Sequence, residues 1–540
     1  MSRRHLITLI LLVAGTAALA VVDAPVRGVW PPVVALAVIL VTRRALIGLL
    51  AGGYAGAILL SGGNPWDAYL AVGRDHLAPS LTSPWKLGAV AFTLVLGGFA
   101  AVLEAGGGFA ALLHRLTGPG RDSARRFQAG ALGLGLLCFF DGLANSMMVG
   151  RVGRSAAERC GVSRVKLAYL VDSTSSAVAC VAVVSTWIAF QLSMIESAFA
   201  AAGQTVNPYA VFLHSLPYNF HCWFTLVLLP LAILWRFEPG PMRRYEDAAR
   251  AAASAATGEH EPSRGSAGAA SALVPVGVLL LSFLGGFVIL GSPRPVWPLT
   301  RDKLVAAFGS DAGPLVLVLA GLIATLAATL LLPRTIAAGR WTSAARAFGS
   351  GVRTMTAPVL ILVAAWILGS VVQSLGTAEI LAGLATRSGA LWLLPAAVFV
   401  SAALVSFATG TSWGTMGLLF PLTVPAAAVA GAQLDPVALT TLLEVVVAAV
   451  FSGAVFGDHC SPFSDTTIVT SIACEVEPHD HVRTQLPYAL ITAAAATLLG
   501  FVPAGLGVSP WLSLLAGVAA LAAVAYRFGV RVPASGAQHG

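Results

Sequence analysis

The chain has 540 residues, of which 10% are charged and 57% hydrophobic, and its formal net charge is +8. An ordinary soluble domain carries roughly 25% charged residues, so these proportions exclude a string of soluble domains and indicate an all-α polytopic membrane protein. The positive balance does not call for nucleic acid, because arginine-rich cytoplasmic loops explain it.

In chain order, Arg3 and Arg4 precede an apolar run at 6–22, which reads as a first transmembrane helix rather than a cleaved signal. Further runs at 29–42, 45–61 and 87–104 approach the ~20 residues that cross a ~30 Å hydrocarbon core, the second of them short. With the N-terminus inside, alternation puts Arg43 and Arg44 inside and 64–86 outside; His114, Arg115, Arg121, Arg125 and Arg126 are then inside again. Residues 1–86 therefore form an N-terminal helical block, and 87–235 a first repeat.

The segment 127–150 has basic residues on both flanks, with Arg151, Arg154, Arg159, Arg164 and Lys166 following it, and it is interrupted by Asp141-Gly-Leu-Ala-Asn145. A segment with positive loops on both sides should not cross, so a hairpin entering from the cytoplasm is predicted. The next run, 167–197, contains Asp172-Ser-Thr-Ser-Ser176 and is too long for one plain span, which predicts a helix unwound near Asp172. A span at 210–234 and a basic Ala-, Gly-, Ser- and Glu-rich linker at 236–271, including Arg264, come next. Spans follow at 272–291, 313–332 and 354–373, with Arg334, Arg340, Arg346 and Arg353 inside.

The stretch 391–430 is broken by Thr409-Gly-Thr-Ser-Trp-Gly414 and has no basic residue on its far flank, predicting a second hairpin from the opposite face. An apolar run at 437–456 then leads into Gly457-Asp-His-Cys-Ser-Pro-Phe-Ser-Asp-Thr-Thr467, too polar to face lipid. Irregular acidic backbone at membrane depth is tolerated only where protein buries it or water reaches it, and intramembrane carboxylates are functional candidates. Spans at 485–504 and 509–526 complete about twelve crossings and two hairpins; the second repeat covers 272–504, and 505–540 holds the final helix and a tail with Arg527 and Arg531. Six cysteines (Cys138, Cys160, Cys180, Cys222, Cys460, Cys474) show no metal or disulfide spacing and read as apolar fillers.

Each half thus has a polar hairpin tip followed by a polar helix break, in opposite orientation. Inverted repeats with breaks near the midplane are a signature of secondary transporters, in which one bundle moves against the rest. Asp458, Ser461, Ser464, Asp465, Thr466 and Thr467 offer hard oxygen ligands for a small cation or a proton.

Phe456-Gly-Asp-His-Cys-Ser-Pro-Phe-Ser-Asp-Thr-Thr467 with Asp480-His-Val-Arg-Thr-Gln-Leu-Pro-Tyr488 resembles the signature of the NhaC-type Na+/H+ antiporter family within the ion transporter superfamily. Phe140-Asp-Gly-Leu-Ala-Asn-Ser-Met-Met-Val-Gly150 and Ser163-Arg-Val-Lys-Leu-Ala-Tyr-Leu-Val-Asp-Ser-Thr174 are similar to first-half blocks, so the likeness spans roughly 90 to 500. The resemblance implies exchange of cytoplasmic Na+ for external H+, with ion-binding carboxylates at the repeat interface; Li+ would accept the same ligands, the basic ends put both termini in the cytoplasm of an inner membrane, and no cofactor is expected. A coupled exchanger of a small organic anion or amino acid, of malate/lactate type, is the alternative, and a homodimer is compatible.

An antiporter needs a carboxylate that holds either a proton or the cation. Asp172, Asp458 and Asp465 are the first candidates, with Asp141 and Asn145 at the first hairpin tip. Ser173, Thr174, Ser461, Ser464, Thr466 and Thr467 would complete the oxygen shell, and Thr409, Thr411 and Ser412 would close it from the second hairpin. Asp, Ser and Thr also cap helix starts, which offers each a purely local role. Glu444 is a candidate proton carrier, or the partner of a cation on another helix, and His459 a candidate pH sensor. His479-Asp-His481 is an unfavourable spacing for a metal. An intramembrane aspartyl protease would need glycine at position 455, which is Val455, and a channel fits carboxylate-rich inverted breaks less well than a carrier.

Overall fold

The computed structural model describes residues 3–22, 25–116, 123–255, 268–332, 339–387 and 389–530. Arg121, Arg264, Arg334, Arg531 and residues 256–267 of the expected linker lie outside the described residues. Those described form helices joined by non-helical links, without a strand. Among them, nine helices are long and apolar enough to cross a membrane, or up to twelve if each of three bent pairs is one span. The chain is a polytopic membrane protein.

The runs at 6–22 and 29–42 form shorter apolar helices, His5–Val21 and Val26–Thr42, outside that set. The arms of the second hairpin, Leu394–Thr409 and Ser412–Ala430, instead have the length and composition of spans, counted from Leu391 for the first arm. The arms of the first, Ser123–Leu137 and Gly142–Arg159, have 15 and 18 residues.

Both hairpin tips are built alike. Asp141 caps Gly142–Arg159, its Oδ1 accepting from the Ala144 N–H at 2.6 Å, and Thr411 caps Ser412–Ala430, its Oγ1 accepting from the Gly414 N–H at 3.1 Å. A side-chain acceptor at this position satisfies an N–H that the first turn leaves free.

The first helix break lies ten residues beyond the position read from the polar run. Arg164–Val181 is continuous through Asp172 and Ser176, and the chain breaks at 182–185 before Thr186–Ala201, bending by 42°. The helix survives its polar stretch because the Thr174 hydroxyl donates back to the Leu170 and Val171 carbonyls at 2.9 and 3.0 Å, and its other polar side chains bond to neighbouring helices. In the second half, Pro436–Cys460 runs through Asp458 and His459, breaks at 461–464, and resumes as Asp465–Cys474.

Tight packing fixes these elements. Pro436–Cys460 lies directly on Leu394–Thr409: a Cβ at Gly453 would come within 2.6 Å of the Phe399 carbonyl oxygen, so only glycine admits the approach. Each hairpin tip also meets the break of its own half. The Thr186 N–H donates to the Phe140 carbonyl at 2.8 Å, and Gly410, at φ 69°, leaves room for the Phe463 backbone.

Candidate functional site

The two tips and two breaks enclose a cavity of about 100 Å3. From the first half it is lined by Asp141 and Thr186; from the second by Thr411, Ser412, Asp458, Asp465 and Thr466. Met355, Pro358, Ile361 and Trp413 close it with apolar surface. Three carboxylates therefore face one small space, and among the described residues lining it there is no lysine or arginine.

Asp458 is 2% exposed and sits in the last turn of Pro436–Cys460. Its Oδ2 accepts from the Ser176 hydroxyl at 2.8 Å and its Oδ1 from the Ser464 hydroxyl at 2.7 Å. Ser464 occupies the N-cap position of Asp465–Cys474 but does not cap it; its hydroxyl is turned to Asp458. In the first half, Ser185 at the equivalent place does cap, accepting from the Ile188 N–H at 3.1 Å. Thr466 and Thr467 donate to the Asp458 carbonyl at 3.1 and 3.2 Å, which holds the resumed helix against the end of the first segment. Asp465 is exposed to the cavity.

Asp172 does not line the cavity. It lies behind it, fully buried, its Oδ2 accepting from Gln485 Nε2 at 2.8 Å and Thr467 Oγ1 at 3.3 Å, with His481 Nε2 also at 3.3 Å. Gln485 also donates to the His459 carbonyl, and its Oε1 is 2.8 Å from His481 Nε2. His459 Nε2 meets the Ser173 hydroxyl at 2.6 Å. This second cluster joins four separate segments and contains no exposed member.

Other candidates have local roles. The Thr409 hydroxyl donates to the Val405 carbonyl at 2.7 Å, and the Ser461 hydroxyl accepts from the Phe463 N–H at 3.3 Å. Asn145 spans Gly135 and Thr174 inside the first half, 3.2 Å from each. Glu444 is half-buried and pairs with His214 Nδ1 at 3.1 Å. It precedes Asp458 by fourteen residues of continuous helix, roughly 21 Å at 1.5 Å per residue.

Sequence reading missed Ser176, His481, Gln485 and Thr186. Ser176 stands one helical turn after Asp172 in the polar run, and His481 and Gln485 share the same i, i+4 spacing, so these three could have been found as polar residues repeating on a buried helix face, whereas Thr186, the first residue after the break, has no such repeat.

A model of the Na+/H+ antiporter family matches residues 178–506, which include Asp458 and Asp465. An uncharacterized protein of Haemophilus influenzae is 30% identical over 515 residues, covering 92% of this chain and 93% of that one. The malate-2H+/Na+-lactate antiporter of Bacillus subtilis is 37% identical over 148 residues, 27% of this chain and 28% of the relative. Among solved structures, the YdaH transporter of Alcanivorax borkumensis has a similar fold, with a TM-score of 0.56 at 16% identity, covering 82% of this chain and 90% of that one.

Proposed function

The chain belongs to the Na+/H+ antiporter family and is a secondary transporter, and we propose that it exchanges Na+ or Li+ for H+ at the cavity between its hairpin tips. The observation that carries this reading is the lining itself: Asp141, Asp458 and Asp465 with hydroxyl groups, and no basic side chain among the described residues. Carboxylate and hydroxyl oxygens suit a small hard cation. An organic dianion would meet three carboxylates in about 100 Å3, a few water volumes, with no lysine or arginine among the described lining residues to neutralise it.

The same lining supplies coupling. Asp458 has hydroxyl donors but no ion-pair partner among the described residues, and a bare charge is costly to hold away from water. Either a proton or the cation lowers that cost, and the two compete for one carboxylate. A site that moves only when neutralised carries one ligand in and the other out. Asp172, held by His481, Gln485 and Thr467, anchors the helices behind the cavity. The basic loops support an orientation with both termini in the cytoplasm of an inner membrane.

The test is proton flux in everted vesicles, followed with a pH-sensitive dye as Na+, Li+ or K+ is added. We expect a Na+- or Li+-driven signal that Asp458→Asn removes. A wild-type protein that ignores all three cations and responds to malate or lactate would replace this reading with organic-anion exchange.

A further inference from the structure

Arg43 occupies the short link between the helices Trp30–Thr42 and Ala45–Leu60 in the left-handed conformation, with φ 57°. A non-glycine residue there is strained, and such a conformation persists where its surroundings over-determine it. The Arg43 backbone N–H donates to the Ile39 carbonyl at 2.7 Å, ending the preceding helix. Its side chain reaches away from both of its own helices. Nη1 donates to the Ala408 carbonyl at 2.5 Å, and the guanidinium carbon lies 3.9 Å from the centroid of the Phe463 ring.

These partners belong to the second hairpin tip and the second helix break. Ala408 is in the last turn of Leu394–Thr409, where carbonyls lack helical donors and the helix dipole favours a cation. Two residues further on is Gly410, where a Cβ would sit 2.7 Å from the Phe463 backbone. Thr411 and Ser412 follow on one side and Asp465 and Thr466 on the other, all of them lining the cavity.

We propose that Arg43 is a positioning residue for transport: one guanidinium, bonded to the Ala408 carbonyl and stacked on Phe463, pins the second hairpin tip to the second helix break. The inference rests on reading the cavity as the transport site. A lysine would serve equally as a cytoplasmic charge, but it lacks the planar fork that bonds and stacks at once. The role is therefore separable from simple topology.

The experiment has two readouts in the full-length chain. In the first, Ser412→Cys is introduced and its labelling by a water-soluble maleimide is followed by peptide mass spectrometry, with Arg43, Arg43→Gln or Arg43→Lys. We expect both substitutions to speed labelling by about tenfold, the equivalent of losing one charge-assisted contact. Unchanged labelling overturns the proposal whatever the protein transports, and so does a lysine variant that behaves as wild type.

In the second, without the added cysteine, both Arg43 variants raise the half-saturating Na+ concentration more than they lower the maximal rate. Equal loss of rate with unchanged half-saturation overturns a positioning role. Phe463→Leu, which removes the ring from the other side, gives the same pair of effects if an Arg43 variant does not accumulate. Faster labelling in a protein that no cation drives would leave the pin standing and remove the cation reading.

Discussion

Asp172, Asp458 and Asp465 are chemically identical side chains in three different surroundings, so their substitutions should separate. Asp458→Asn keeps the shape but not the charge that Ser176 and Ser464 address, and cation-driven flux should vanish at every Na+ concentration. Asp465 is exposed to the cavity, so Asp465→Asn should leave measurable flux with a raised half-saturating Na+ concentration. Asp172→Asn disturbs Gln485, Thr467 and His481 in a region closed to water. Its main effect should be a lower melting temperature in detergent, because buried polar networks lose stability when one member changes.

At the scale of elements, the two helix breaks offer a matched comparison. Ser185 caps Thr186–Ala201, whereas Ser464 leaves its helix uncapped and turns to Asp458. Ser185→Ala should therefore cost about 1 kcal/mol of stability, the usual value of a lost cap, with little change in Na+ affinity. Ser464→Ala should show the reverse, a weaker apparent affinity with a melting temperature near wild type. Helix packing has its own test at Gly453, where a side chain would meet the Phe399 carbonyl and the Ala402 methyl. Gly453→Val should reduce the yield of folded protein and abolish flux together, since it separates two helices that carry the second tip and the second break.

For the whole molecule, the helix Met242–Ala255, outside the candidate spans, is tied by charged groups to the helix that bears Asp172. Arg250 pairs with Glu238, bonds Asp247 at 2.7 Å and lies 3.6 Å from Glu246. Glu246 in turn accepts from the Ser163 N–H and hydroxyl at 2.8 and 2.7 Å, at the start of the helix that bears Asp172. Burial raises the Glu238 carboxyl above its ordinary value, and Arg250 partly offsets this. A carboxylate with a raised folded pKa gains stability as pH falls through that value. Arg250→Gln should therefore cost about 2 kcal/mol near neutral pH, the scale of a hydrogen bond to a charged group at a partly exposed site, and less at mildly acidic pH. Melting curves at two pH values would show it, and an equal loss at both would refute the electrostatic account.

The likeness to the YdaH fold extends over most of the chain at 16% identity, so it concerns architecture rather than particular side chains. What the sequence by itself determined is correspondingly architectural: the membrane class, the interruptions at Asp141 and Thr411, and the polar stretch from Asp458 to Thr467. Those features follow from apolar runs, turn residues and caps, which act over a few neighbours. Only the tertiary structure decided that Asp458 shares a cavity with Asp141 and Asp465 while Asp172 sits behind it with His481 and Gln485. It also moved the first break to 182–185, since Thr174 and its neighbours found partners that keep the helix intact. The reason is one of range: Ser176 and Asp458 are 282 residues apart in the chain, and a hydrogen bond between them arises from the packing of whole helices, which no local pattern encodes.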